Sequence, residues 1–294
     1  MKKVIIAGGT GFIGTCLTSR FLEYGYDVIF ISRLPDHVQW DETELTHAFE
    51  RVNVVINLAG KTINCSHTAK NRKAIIQTRV DTTTMIGNAI KNCKTPPELW
   101  INASATGIYQ PSVEIPMTED SPVGNDFLAE VVKKWEAAFF NFKLPHTRQV
   151  ALRTSMVLGE NGGALEPLTK LTKLGLGGKQ ASGKQMISWI HEEDYFNIIL
   201  FILQNPTLSG VTNCTSPEPV SNKVFMKTMR QVLNIRVGIP APAIVIRLIS
   251  KLIGKESKLI LNSSNVQPKR LLEAGFTFTF AEIDSALTDV LNKL

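Results

Sequence analysis

The sequence has 294 residues, of which 44% are hydrophobic and 20% charged, which is typical of a globular protein and excludes a disordered chain. The formal net charge of +6 fits an anionic ligand. Lysine and arginine are scattered, however, and aromatic residues make up only 7% of the chain, so we expect no nucleic-acid partner. The cysteines form no C-x-x-C pair, which predicts neither a metal site nor a disulfide framework. They are Cys16, Cys65, Cys93 and Cys214.

A membrane partner is not expected either. The apolar run after Lys2 and Lys3 is interrupted by glycines and is too short for a signal peptide. The apolar segment 239–253 contains Arg247 and Lys251, which argues against a transmembrane helix. Together with the scattered cysteines, these features predict a cytoplasmic protein.

The first half of the chain alternates between strand-like and helix-like segments. Short apolar runs predict strands at 4–7, 27–32, 53–57, 99–103 and 149–153. Amphipathic segments predict helices at 12–24, 43–50, within 67–92 and at 126–142. Apolar strands that alternate with helices indicate an α/β fold, a Rossmann-type doubly wound parallel sheet covered by helices on both faces.

Beyond about residue 160 this alternation is less regular. Glycines at 162–163 and 175–178 bracket a predicted helix, and further elements are a strand at 184–190, a helix at 194–204 and a strand at 211–214. We therefore expect a Rossmann domain over 1–160. Residues 161–294 are expected to form a smaller, interleaved substrate lobe with the final sheet strands and a C-terminal helical segment.

The most informative motif is the glycine loop after the first strand. Gly8, Gly11 and Gly14 stand between a predicted strand and a predicted helix. In dinucleotide-binding proteins such glycines allow a sharp turn, close approach of the backbone to the pyrophosphate, and close packing of helix on strand. An ordinary glycine-rich connection is the alternative. The predicted cofactor contacts in this loop are Gly8, Thr10, Gly11, Phe12, Ile13 and Gly14.

The end of the second predicted strand favours NADP(H) over NAD(H). NAD-binding proteins place an acidic residue there to bind the ribose 2′-hydroxyl, whereas this strand ends in Ser32 and Arg33. A hydroxyl and a guanidinium can bind a 2′-phosphate through charge-assisted hydrogen bonds. The alternative interpretation is a solvated arginine at a strand end.

The spacing G-x-x-G-x-x-G resembles that of the short-chain dehydrogenase/reductase superfamily. The Asn57-Leu58-Ala59-Gly60 segment resembles that superfamily's N-x-A-G signature, which implies that Leu58, Ala59 and Gly60 border the cofactor. The same resemblance implies that Arg79 faces the cofactor, with a surface arginine as the alternative.

Four further stretches narrow this resemblance, at 104–109, 134–138, 188–191 and 268–276. With the glycine loop, they resemble the atypical epimerase family proteins known as short-chain dehydrogenase/reductase family 39U, which are NAD-dependent epimerase/dehydratase-like. The resemblance covers essentially the whole chain, including a C-terminal segment of the DUF1731 type. It implies Ser104 and Val157 as further cofactor contacts.

The catalytic pattern of the superfamily is broken. Its Tyr-x-x-x-Lys pair would fall at Leu128 and Val132, and its usual serine at Ala105. Without a phenol near the nicotinamide, the usual proton relay is missing. Candidate replacements are Ser104, Thr106 and Tyr109. Ser104 and Thr106 are expected to bond backbone or the nicotinamide amide, and Tyr109 to be a packed residue.

Two other polar pairs have structural interpretations. His191 and Asp194 could form a dyad, but we expect Asp194 to cap the helix that starts there and His191 to satisfy buried backbone groups. Glu119 and Asp120 are expected on a solvated loop between prolines.

Two functions remain open on the sequence. One is an NADP(H)-dependent oxidoreductase or epimerase-like enzyme that acts on an unknown small substrate. The other is a non-catalytic NADP(H)-binding sensor or regulatory module. The fold alone does not separate them.

Overall fold

The computed structural model describes residues 2–160 and 162–293. In chain order its elements are β1 (Lys3–Ala7), α1 (Phe12–Glu23), β2 (Asp27–Ile31), α2 (Glu42–Phe49), β3 (Val54–Asn57), α3 (Ala69–Asn92), β4 (Leu99–Ala105), a one-turn 3₁₀ helix (Thr106–Ile108), α4 (Phe127–Phe140), β5 (Arg148–Thr154), β6 (Met156–Leu158), α5 (Leu165–Lys173), β7 (Met186–Ile187), β8 (Trp189–His191), α6 (Glu192–Gln204), β9 (Gly210–Cys214), β10 (Val220–Ser221), α7 (Asn222–Val232), α8 (Ala243–Leu252), α9 (Lys258–Leu261), α10 (Lys269–Glu273) and α11 (Ile283–Asn292).

Within the described ranges, the central sheet has six parallel strands in the order β2-β1-β3-β4-β5-β9. The chain leaves β1 for β2 on one side and then returns to β3 on the other. This reversal opens a crevice at the carboxyl ends of β1 and β3, where open α/β sheets bind their ligands. The predicted Rossmann-type parallel sheet is confirmed.

Alternate residues of each inner strand are buried on opposite faces, because side chains of a strand point to opposite sides. Ile6 of β1 packs in the cluster that holds α1 and α6, through Leu17 and Ile199. Ile5 packs in the cluster that holds α2, α3 and α4, together with Ile86 of α3. Both faces are therefore covered, which explains why these strands read as continuous apolar runs.

The second half of the chain adds the last sheet strand and a smaller cluster. Strand β9 pairs with β5 in the central sheet. Helices α5, α7 and α11 share a separate apolar core. The boundary at residue 160 stays a prediction. In the ranges that the structure describes, every helix is too short or too polar to cross a membrane.

The predicted strand at 184–190 is wrong as one element. Its first part, β7, pairs antiparallel with β10, whereas its second part, β8, pairs parallel with β6. Ser188 lies between them, and its hydroxyl donates to the Ser264 carbonyl at 2.9 Å and accepts from the Val266 N–H at 2.8 Å. This local anchoring to the C-terminal segment divides the run between two ladders.

Candidate cofactor-binding site

The glycine loop at the carboxyl end of β1 is tightly packed at two of its three predicted positions. Gly8 has a φ of +79°, and a Cβ there would lie 3.0 Å from the Ala59 nitrogen. A Cβ on Gly14 would lie 2.5 Å from the Cα of Gly9. The turn and the close helix packing therefore both require glycine. Gly11 differs, because the nearest atom to its Cβ position is the Gly8 oxygen at 3.5 Å.

The N-terminus of α1 is open for an anion. Gly11 occupies the N-cap position, and among the described residues no side chain caps it. The first turn contains no acidic residue. The first backbone N–H groups of a helix have no partner within the helix, and the helix dipole is positive there. Phe12, Ile13 and Gly14 therefore present N–H groups to an anion, as in pyrophosphate sites.

Sequence reasoning missed a further requirement for glycine, at Gly9. The ring of Phe30 from β2 occupies the place where a Cβ of Gly9 would stand. The Gly8-Gly9 doublet was the signal in the sequence. Phe30 thus packs against the loop from the strand that carries the expected specificity residues.

The end of β2 presents one ordered hydroxyl and one free cation. Ser32 Oγ lies 2.8 Å from His37 Nδ1 and accepts the Leu34 N–H at 2.9 Å. The Arg33 side chain is exposed, and across residues 2–160 and 162–293 no carboxylate pairs with it. His37 was not singled out from the sequence, since a histidine five residues past a strand has no recognisable pattern. A phosphate placed here would meet two or three polar groups.

Asn57 shapes the turn after β3. It is fully buried, its Nδ2 donates to Asn102 Oδ1 at 2.7 Å, and its Oδ1 accepts the Ala59 N–H at 3.1 Å. Leu58 and Ala59 are half-buried, and Gly60 is exposed. These bonds fix the turn at 58–60, which lies beside the glycine loop, since a Cβ on Gly8 would lie 3.0 Å from the Ala59 nitrogen.

Arg79 supports this turn from helix α3. Its Nη1 donates to the carbonyl oxygens of Lys61 and Ile75, at 2.8 and 3.0 Å, and its guanidinium lies 4.9 Å from the centre of the Trp135 ring. Burial lowers the pKa of Arg79 to about 10. Both its bonding and its packing differ from those of a solvated surface arginine. Arg79 also packs against the turn, because a Cβ on Gly60 would lie 3.1 Å from the Cγ of Arg79.

The hydroxyl of Ser104 bonds a side chain, whereas the expected partner was backbone or the nicotinamide amide. Ser104 stands near the end of β4, and its Oγ donates to Glu136 Oε1 at 2.6 Å. The same carboxylate receives two bonds of 2.8 Å from Arg153, one to each oxygen. Glu136 of α4, which the sequence analysis did not single out, thus determines where the Ser104 hydroxyl points.

Tyr109 is packed, as predicted, and its hydroxyl is occupied on both sides. It donates to Asn213 Oδ1 at 2.8 Å and accepts from Arg153 Nη1 at 2.8 Å. Burial raises the pKa of Tyr109, although the positive charge of Arg153 acts to lower it. Burial by itself would lower the pKa of Arg153, but the hydrogen bonds and charge of Glu136, together with Tyr109, raise it. The phenol and the guanidinium therefore keep their protons at neutral pH.

The positions of the missing catalytic pair are apolar. Val132 is buried in a cluster with Ile108 and Tyr109, and Leu128 lies beside Gly107. Thr106 Oγ1 is 3.5 Å from the Thr154 carbonyl oxygen, at the outer limit of a hydrogen bond. Of the three candidate hydroxyls, that of Thr106 is the least committed.

Val157 lies in the middle of β6 and is 8% exposed, packed into the core on the α1 and α6 side of the sheet. Its contact with the cofactor stays a prediction, as do the contacts of the glycine loop and of the other residues described above.

The predicted cap at Asp194 is wrong. His191 is the N-cap of α6, and its Nδ1 accepts the Glu193 N–H at 3.1 Å. Asp194 is fully buried and accepts the N–H groups of Thr279 and Phe280, at 2.9 and 2.8 Å. The helix starts two residues earlier than expected, because the imidazole serves as the acceptor and leaves the carboxylate free to bind the C-terminal segment.

The predicted solvated position of Glu119 is also wrong. Glu119 is 7% exposed, and its Oε1 accepts the Asn213 N–H at 2.9 Å. Asp120 is exposed, as expected, and pairs with Lys269 at 2.7 Å. Adjacent carboxylates thus have different environments, because one of them reaches the end of β9.

Comparisons with known proteins agree with this geometry. Residues 4–131 match the family described as NAD dependent epimerase/dehydratase family, and residues 241–290 match a domain of unknown function, DUF1731. The chain is 36% identical to the epimerase family protein SDR39U1 of Mus musculus, over 98% of this chain and 99% of that protein. It is 34% identical to the epimerase family protein YfhF of Bacillus subtilis, over 98% of each chain.

Among solved structures, the human epimerase family protein SDR39U1 (isoform 2), crystallised with NADPH, superimposes with a TM-score of 0.91. The two chains are 33% identical, and the match covers 99% of this chain and 100% of the human one. Relatives at 33–36% identity thus cover 98–99% of the chain, and the chain belongs to the SDR39U1-like epimerase family proteins of the short-chain dehydrogenase/reductase superfamily.

Proposed function

We propose that this protein binds NADP(H) and acts as an oxidoreductase or epimerase-like enzyme on a small substrate. The observation that carries the proposal is the N-terminus of α1, which no side chain caps among the residues that the structure describes. It lies at the sheet crevice together with the hydroxyl of Ser32 and the exposed cation of Arg33. Glycine is sterically required at Gly8 and Gly14, whereas Gly11 leaves space for a ligand.

The residues present fit NADP(H). The N–H groups at the start of α1 would hold the pyrophosphate. Ser32 and Arg33 would hold the 2′-phosphate, and no acidic residue stands at the end of β2 to repel it. NADPH in the human relative supports the same assignment. When bound, the cofactor supplies hydride chemistry.

A reaction on a carbonyl or hydroxyl group needs a proton donor or acceptor, and the usual tyrosine is missing. Ser104 and Tyr109 are bonded to buried partners, so moving a proton from either would break the network around Arg153. Thr106 has the most weakly bonded hydroxyl of the three. We assign to Thr106 the role of orienting the substrate or a water at the end of β4.

Calorimetric titration of the purified protein with NADPH and NADH tests the first part. Tight binding of NADPH and weak binding of NADH is expected, and binding of neither would refute the proposal. NADPH consumption is then measured against small carbonyl compounds, and nucleotide sugars are examined for epimerised product. Thr106→Val is expected to lower turnover while leaving NADPH affinity unchanged, and Thr106→Ser is expected to restore it.

A second candidate function is an NADP(H)-binding sensor without turnover. It is favoured by the apolar side chains of Leu128 and Val132 at the positions of the missing pair and by the closed bonding of Ser104 and Tyr109. Tight binding of NADPH without hydride transfer to any compound of the panel would support this candidate. For the location, we retain the cytoplasm as a proposal, based on the four free cysteines.

A further inference from the structure

Helix α8 (Ala243–Leu252) is barely buried in the protein. Of its ten residues, only Ile246 and Ser250 are buried. These two residues are four apart, so they form a single narrow stripe along the helix. The rest of the helix surface projects from the molecule as a ridge.

Most of this projecting surface is aliphatic. Ile244, Leu248 and Leu252 form one row at i, i+4 and i+8, and their exposed fractions are 66%, 64% and 87%. Val245 and Ile249 form a second row beside it and are also exposed. Two adjacent rows of exposed aliphatic side chains form a contiguous patch, and such patches on a protein surface usually mark an interaction site.

The patch continues beyond the helix. Ile239 lies just before α8, and its N–H donates to the Gly175 carbonyl at 2.9 Å, which brings the loop after α5 alongside. The loop after α5 contributes the exposed residues Leu174 and Leu176, and the segment before α8 contributes Val237 and Ile239. Ile253, directly after α8, is exposed as well. We call the whole set the apolar ridge: Leu174, Leu176, Val237, Ile239, Ile244, Val245, Leu248, Ile249, Leu252 and Ile253.

The chain segment that contains α8 carries only positive charges up to Lys255. The sequence from 219 to 255 contains seven lysine and arginine residues and no carboxylate. Arg247 and Lys251 are exposed on the polar side of α8, and Lys255 follows the helix. The first carboxylate after it, Glu256, lies 3.4 Å from His67. The ridge therefore combines aliphatic surface with a positive border.

We propose that the apolar ridge docks on the surface of a membrane that contains anionic lipids. Helices of this kind lie in the interface with their apolar face in the acyl boundary and their basic residues at the headgroups. A second copy of the chain is a poorer occupant, because it would bring two positive borders together. A convex ridge also suits a soft apolar medium better than a rigid partner surface. With ten residues α8 is too short to span a bilayer, which takes about 20.

The sequence predicted no membrane partner, in part because Arg247 and Lys251 interrupt the apolar segment and exclude a spanning helix. In the folded chain these two residues stand beside the aliphatic rows and not among them. The same charges that exclude insertion across the bilayer are suited to contact with its surface.

Co-sedimentation of the full chain with vesicles tests the proposal. Binding is expected to vesicles of phosphatidylcholine with phosphatidylglycerol, to weaken with added salt, and to be absent for phosphatidylcholine alone. The double variant Leu248→Glu/Leu252→Glu should weaken binding by about tenfold or more, because two large apolar side chains no longer enter the acyl boundary. Arg247→Gln/Lys251→Gln should reduce binding to the anionic vesicles.

Leu22→Glu provides the matched control, since Leu22 on α1 is also an exposed leucine, at 57%. It should bind vesicles like the wild type. Thermal unfolding and NADPH titration establish that each variant is folded. The proposal is overturned if the wild type stays in the supernatant with anionic vesicles at low salt, or if Leu248→Glu/Leu252→Glu binds them unchanged. It is equally overturned if the wild type is a dimer in the ultracentrifuge that this variant converts to a monomer.

Discussion

Replacing Gly11 with valine should separate cofactor binding from folding. The backbone at Gly11 has a φ of −83° and a ψ of 171°, an extended conformation that valine adopts readily. The nearest atom to a Cβ there is the Gly8 oxygen at 3.5 Å, an ordinary contact distance. The protein without cofactor should therefore accept the new side chain, with a melting temperature close to that of the wild type.

The cofactor should be excluded by the same side chain. An isopropyl group at the start of α1 stands between the helix N–H groups and the pyrophosphate, so we expect at least two hydrogen bonds to a charged group to be lost. At about 1.5–3 kcal/mol each, the loss is about 3–6 kcal/mol. This corresponds to a dissociation constant for NADPH raised about 100-fold to 20,000-fold. Calorimetric titration with NADPH measures it.

Two further variants complete this experiment. Ser19→Val adds the same residue at an exposed position on α1 beyond the first turn and should bind NADPH normally. Gly14→Ala should instead destabilise the fold, because its Cβ would lie 2.5 Å from the Gly9 Cα. Retention of wild-type NADPH affinity by Gly11→Val would refute the pyrophosphate placement. Loss of its folded structure would refute the steric argument at Gly11.

Three other changes have expected outcomes. Arg33→Asp should weaken NADPH binding by about 10-fold to 100-fold and favour NADH; equal preference in titrations with both nucleotides would contradict the 2′-phosphate assignment. Arg153→Met leaves the carboxylate of Glu136 buried and unpaired, so urea unfolding should show a loss of about 3–5 kcal/mol, and a much smaller loss would mean that the pair is solvated. Burial lowers the pKa of His191 from its ordinary 6.5, so the folded state binds this proton less readily than the unfolded chain. Stability should fall as pH drops below about 6.5, and His191→Asn, which keeps an acceptor for the Glu193 N–H, should remove that part of the decline in melting temperature.

Much of the fold follows from local sequence signals. The strands of the first half are apolar on both faces, so they stand out as continuous runs, and glycines mark where they end. The predicted bounds of β1 and α1 differ from the observed ones by one residue at one end. The glycine loop was recognisable because strand, turn and helix occur in immediate succession.

Contacts between distant segments could not be predicted in this way. The strand at 184–190 divides because Ser188 bonds Ser264 and Val266, more than 70 residues away. Asp194 is no helix cap because its carboxylate binds a backbone segment 85 residues later. Neither partner leaves a periodic pattern near the residue concerned, and polar side chains suit caps and long-range anchors equally well.

The same limit applies to the candidate site. Sequence order placed Ser104 and Tyr109 near the expected hydride position, but their bonding is decided by Glu136 of α4, Arg153 of β5 and Asn213 of β9. A buried arginine inside an apolar strand was the available signal, since such a residue needs a partner. The partner's identity emerged only from the packing of three strands and a helix.

The late arrival of β9 has a consequence for synthesis of the chain. Strand β5 ends at Thr154, yet its neighbour β9 begins at Gly210. Until β9 has left the ribosome, a nascent sheet exposes the unpaired edge of β5, a template for pairing with other chains. The Arg148 side chain of β5 donates to the carbonyls of Ile202 in α6 and Leu208 in the loop before β9, so these bonds also form only once that part of the chain has been made. A fragment that stops near residue 160 would lack β9 and keep the edge of β5 unpaired. Because of this strand order, truncated chains are expected to aggregate.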